Sequence, residues 1–91
     1  MDKRIECIIS GRVQMVMYRD YVQRKGRSLG LVGTVQNLDN GQVKATAQGE
    51  KKILQEFIKK IRTGPIMAKV ESVEIEWSDE LEDLYGFSII Y

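Results

Sequence analysis

A chain of 91 residues suits one small domain and leaves no room for two, so residues 1–91 are expected to form a single domain. With 14 Lys and Arg against 13 Asp and Glu, the net charge is +1, without the basic excess that drives nucleic-acid binding. There is no histidine and a single cysteine, Cys7, which excludes Ser-His and Cys-His nucleophiles, histidine-bearing zinc patterns and an internal disulfide.

The first segment, Arg4 to Ser10, alternates, with Ile5, Cys7 and Ile9 on one face, and predicts a strand. Gly11 opens a loop that runs to Met17. Residues 18–29 predict a helix with Tyr18, Tyr21, Val22 and Leu29 on one side. Lys25 interrupts that stripe, Gly26 weakens the helix by roughly 1 kcal/mol relative to Ala, and Gly30 is placed to stop it. Residues 31–37 and 42–48 predict two further strands, the latter with Val43, Ala45 and Ala47 on one face and Gly49 at its end. Between them, Asn40-Gly41 predicts a tight hairpin turn with positive φ at both central positions. Residues 51–63 form an amphipathic helix with Ile53, Leu54, Phe57, Ile58 and Ile61 inward, stopped by Gly64-Pro65. Residues 69–78 predict a fourth strand with Val73, Ile75 and Trp77 on one face, and residues 86–91 a short fifth. Trp77 and the aromatics at 85, 87 and 91 are assigned to core or edge packing.

The order β-α-β-β-α-β with a short closing strand predicts an α+β, ferredoxin-like sandwich, its antiparallel-rich sheet carrying two helices on one face. Such a scaffold serves many functions. The charged start, Met1 to Arg4, with no long apolar run behind it, predicts no signal peptide and no membrane span. With the lone cysteine, it predicts a cytoplasmic chain.

A β-α-β crossover brings the C-terminal ends of the first two strands to one edge of the sheet. The loop from Gly11, the start of the first helix and Asn37 then meet there. Free N–H groups at a helix start attract an anion. Arg12 and Arg19 bracket the loop, and guanidinium matches phosphate oxygens in a bidentate manner. An arginine in a first turn opposes the helix dipole unless an anion sits between. Taken one at a time, each residue also has an ordinary use: Arg19 on the surface, Arg12 in a surface ion pair, Asn37 as a turn former. Met15 and Met17 fill gaps or form a soft loop surface. On these grounds the function stays open.

Residues 11–19, GRVQMVMYR, resemble the acylphosphatase signature G-R-V-Q-G-V-x-[FY]-R, matching it at Gly11, Arg12, Val13, Gln14, Val16, Tyr18 and Arg19. Residues 33–43, GTVQNLDNGQV, resemble the family's second block at Gly33, Val35, Asn37, Gly41 and Val43. Gln48-Gly49, the second helix and Gly64-Pro65 extend the resemblance over essentially the whole chain.

The resemblance implies hydrolysis of acyl phosphates to carboxylate and inorganic phosphate, with no metal and no cofactor. Gly11, Arg12, Val13, Gln14, Met15, Val16, Met17 and Tyr18 would cradle the phosphoryl group, Arg19 would clamp it, and Asn37 would aim the attacking water. The substrate's own phosphoryl oxygen would take the water's proton, so no histidine is needed. The expected partners are a small acyl phosphate and inorganic phosphate as product and inhibitor, with no nucleic acid and no membrane, for a monomer. The alternatives are a weak or inactive anion-binding module on the same scaffold, or an RNA-binding module. The latter lacks stacking aromatics on its third strand. Met15 stands where the family has Gly. A positive φ there would cost roughly 1–2 kcal/mol, and its side chain is expected to crowd the phosphate.

Overall fold

The computed structural model describes residues 1–91. Alternation builds the first strand: in β1 (Asp2–Arg12) Ile5, Cys7 and Ile9 are fully buried on one face. The strand runs two residues past its expected limits at both ends because it is central, with β3 (Val43–Glu50) on one side and β4 (Lys69–Ser78) on the other. Gly11 and Arg12 therefore belong to the strand and not to the loop. The register slips between Ser10 and Gly11, and Gly11 has φ 127°. A Cβ there would lie 2.1 Å from the Lys69 carbonyl oxygen, so only glycine fits the bulge.

Helix α1 (Tyr18–Ser28) ends on Leu29, and Gly30 turns the chain at φ 72°. Strand β2 (Val32–Asn37) follows. The hairpin from β2 to β3 differs from expectation. Gly41 has φ 92°, but Asn40 does not take positive φ. The Gly41 N–H donates to the Leu38 carbonyl, and the Leu38 N–H to the Gln42 carbonyl at 2.8 Å. This is a three-residue loop with one left-handed residue, and the Asn40 side chain accepts from the Gln42 N–H instead. Gly49 does not end β3; it pairs with Lys3, and a Cβ there would strike Leu31. Helix α2 (Lys51–Thr63) starts directly from β3 and stops at Gly64.

The five strands lie in the order β4-β1-β3-β2-β5, antiparallel except that β5 (Phe87–Ile90) runs parallel to β2. The helices cover the face bearing Ile5, Cys7, Ile9, Val43, Ala45 and Ala47, against which Val22, Leu54, Phe57 and Ile61 pack. Burial pushes the Cys7 thiol up to about 12, so it acts as a small apolar side chain. Gly26 gains meaning here: a Cβ would lie 2.3 Å from the Phe87 ring, whose centroid is 5.7 Å from that of Phe57. The propensity lost in the helix is offset by burying an aromatic ring.

On the other face, residues 79–86 cross from β4 at one edge to β5 at the other. Gln48, buried on this face, donates to the Glu82 carbonyl at 3.0 Å and accepts from the Glu82 N–H at 2.6 Å. Arg4 donates to the Glu80 carbonyl and to the Glu82 carboxylate, each at 2.9 Å. Of the C-terminal aromatics, Phe87 is core, while Tyr85 and Tyr91 are exposed. Trp77, on edge strand β4, is partly exposed. No helix is long and apolar enough to cross a membrane.

Candidate active site

Because β1 and β2 are both antiparallel to β3, they run parallel to each other and end on the same side of the sheet. Val43 at the start of β3 pairs with Ile9 of β1 and with Asn37 of β2. Two strand spacings place these ends about 10 Å apart. The loop after β1 and Asn37 thus face each other, as the topology predicts. Strand pairing adds a third contributor. The parallel register Gln36↔Ile90 carries Tyr91 to the same end, beside Asn37. The parallel pairing of a four-residue terminal strand leaves no local mark in the sequence.

The loop is held from several sides. Val13 is buried in the core, and Val16 packs against it. The Gln14 amide Nε2 donates to the carbonyls of Leu38 and Gln42, both at 2.8 Å, tying the loop to the β2–β3 hairpin. The Gln42 amide donates in turn to the Ser10 hydroxyl at 2.8 Å. At the helix start, the buried Tyr18 hydroxyl donates to the Ile61 carbonyl at 2.7 Å. Desolvation by burial, then the neighbouring Cys7 and Tyr21, raise the Tyr18 pKa, so it remains a donor. Tyr21 donates to the Lys60 carbonyl at 2.9 Å, which also fastens the start of α1 to the end of α2.

Two loop residues are left-handed, Met15 at φ 59° and Met17 at φ 64°. Met17 is the N-cap of α1 and supplies no side-chain cap. The first-turn N–H groups of α1 therefore lack partners within the helix, at its positive dipole end.

Val13, Met15, Met17, Tyr18, Arg19 and Asn37 share a cavity of about 530 Å³ with Asp20, Ile89 and Tyr91. Gly11, Arg12, Gln14 and Val16 do not line it. Gly11, Gln14 and Val16 shape or brace the loop, while Arg12 is exposed at the end of β1 without an ion pair. Two polar groups in the cavity are unspent. The Arg19 guanidinium lies 5.0 Å over the Tyr91 ring and pairs with no carboxylate; its neighbour Asp20 pairs with Arg24 at 2.9 Å. The Asn37 Oδ1 is buried and accepts no hydrogen bond from the protein. A buried acceptor without a partner costs about 1–3 kcal/mol, and such groups concentrate where a ligand completes them. No three Cys, Asp or Glu side chains come together as a set able to hold a metal ion.

A family model for acylphosphatase matches residues 5–89. The chain belongs to the acylphosphatase family. It is 41% identical to an acylphosphatase of Thermus thermophilus, over 94% of this chain and 97% of that one. It is 40% identical to one of Dehalococcoides mccartyi, over 96% and 97%. The crystal structure of the Bacillus subtilis acylphosphatase superposes with a TM-score of 0.96 at 35% identity, covering 98% and 99% of the two chains. Acylphosphatases are hydrolases acting on acyl phosphates.

Met15 does hold a positive φ, so the conformational cost is present. The Met15 side chain is 99% exposed and lines the cavity.

Proposed function

We propose that this chain hydrolyses acyl phosphates to a carboxylate and inorganic phosphate without a metal, with Arg19 and Asn37 as its catalytic residues. The observation that carries this reading is the pairing of two unspent groups in one cavity: the unpaired Arg19 guanidinium and the buried, unpartnered Asn37 Oδ1. Arg19 clamps the phosphoryl oxygens with the help of loop amides at Val13 to Tyr18 and the start of α1. Asn37 Oδ1 accepts a hydrogen bond from water and so orients the oxygen lone pair toward phosphorus. The water oxygen forms the new P–O bond as the bond to the acyl oxygen breaks, and the carboxylate departs with the electron pair. The water's proton passes to a phosphoryl oxygen.

Phosphoryl transfer asks mainly for positioning and charge stabilisation. A carboxylate is a good leaving group, so no general acid is required. This suits a chain without histidine. On this reading the chain works as one domain over residues 1–91. It is a cytoplasmic monomer whose partners are its acyl phosphate and the phosphate product, and its near-zero net charge favours no nucleic acid.

The test is hydrolysis of benzoyl phosphate with a chelator present, by the wild type and by Arg19→Ala. Turnover that the substitution abolishes, and that inorganic phosphate inhibits competitively, is expected. Phosphate binding without turnover in the folded wild type would leave only an anion-binding module.

A further inference from the structure

The cavity has two kinds of wall. Its floor is buried: Val13 and Tyr18 are each 1% exposed, and the Asn37 Oδ1 is out of contact with solvent. Its rim is apolar and open. Met15 is 99% exposed, Met17 71% and Tyr91 95%, with Ile89 of β5 beside them. Single exposed apolar residues on a surface need no explanation. Here three large ones from two distant stretches of sequence converge on one cavity. Two of them are held there in the left-handed conformation, which disfavours any side chain.

The rim adjoins the place where a phosphoryl group would sit, so whatever is bonded to that group must pass it. The charge around it is also informative. The side chains of the cavity walls contain one cation, Arg19, and one anion, Asp20. No lysine lines them. Arg19 is committed to the phosphoryl oxygens, which leaves no positive group for a second carboxylate on the substrate. Asp20, whose charge the exposed pair with Arg24 offsets only in part, would repel it.

Resting on the acylphosphatase reading above, we propose that Met15, Met17 and Tyr91 form an acyl-group subsite that selects neutral, apolar or aromatic acyl phosphates. Asp20 works against acyl groups bearing a second carboxylate. The thioethers are suited to the task, because Met adapts to varied shapes and its sulfur packs well on aromatic rings. Such contacts are made alike in the ground state and the transition state. They act chiefly through KM.

The test compares acetyl, benzoyl and succinyl phosphate on the wild type, on the double variants Met15→Gly/Met17→Gly and Met15→Asn/Met17→Asn, and on Asp20→Asn. Gly and Asn both tolerate a positive φ, so either pair keeps the loop geometry while removing the apolar reach. All three substrates share the phosphoryl group, so damage to the cradle cancels in the ratio of their kcat/KM values. The benzoyl-to-acetyl ratio is expected to fall by roughly tenfold in both double variants, mostly through the KM for benzoyl phosphate. Asp20→Asn is expected to raise the succinyl-to-acetyl ratio by a few-fold, and added salt to shrink that gain. A benzoyl-to-acetyl ratio that stays within twofold in both double variants would overturn the subsite while leaving the hydrolase reading intact. Absence of turnover with all three substrates in the wild type would remove both.

Discussion

At the end of the sheet where β4 hands over to β5, Gln48 gives and receives a hydrogen bond with the backbone of Glu82, and Arg4 reaches the Glu80 carbonyl and the Glu82 carboxylate. At the opposite end, Asn37 Oδ1 accepts nothing from the protein, Arg19 has no carboxylate partner, and Met15 and Met17 sit at positive φ. Both ends are built from the same strands. One satisfies its polar groups and closes the open sheet face. The other holds polar groups ready and carries backbone strain of about 1–2 kcal/mol for each left-handed Met. This small chain gains stability at the first end and gives some up at the second.

If that division is right, substitutions at the two ends should act on different quantities. Arg19→Ala should lower kcat/KM for an acyl phosphate by about a thousandfold, while the midpoint of urea unfolding moves little. A stability loss of the same proportion would erase the contrast. Gln48→Ala should do the reverse. It strands the Glu82 N–H and carbonyl, and should cost about 1–3 kcal/mol of stability with kcat unchanged, as read from paired denaturation and rate measurements.

The core between the ends supplies a pH test. Cys7 has its pKa raised from 9.0 to about 12 by burial, and Tyr18 is shifted the same way. Between the unfolded and folded values the native state holds more protons than the unfolded state, so stability falls as pH rises. The urea midpoint should be flat between about pH 6 and 8 and decline from about pH 9 upward, less steeply in Cys7→Ala. The smallest effect is expected at the strained end. Met15→Gly should stabilise the fold by about 0.5–1 kcal/mol, because relief of the left-handed strain exceeds the added chain entropy.

Much of this arrangement was legible in the sequence. Helix 51–63 and strand 69–78 lie where periodicity put them, because each has one apolar face and clear stops. The meeting of the loop after β1 with Asn37 followed from chain crossover alone. What escaped depends on partners distant in sequence. β1 is longer than its alternation suggests because it is paired on both sides. Gly26 and Gly49 read as weak points or stops, yet they are clearances for Phe87 and Leu31. Asn40-Gly41 suggested a two-residue turn, but a side-chain hydrogen bond selected a three-residue loop. Tyr91 reaches the site only through parallel pairing of β5 with β2.

The most direct test of the account is Asn37→Ala, measured for rate and stability in the same preparation. The kcat is expected to fall by about a hundredfold, while urea stability holds or rises slightly because a buried acceptor without a partner has been removed. An unchanged kcat, or an activity loss matched by unfolding, would contradict the claim that this end of the sheet keeps Asn37 unsatisfied for the attacking water.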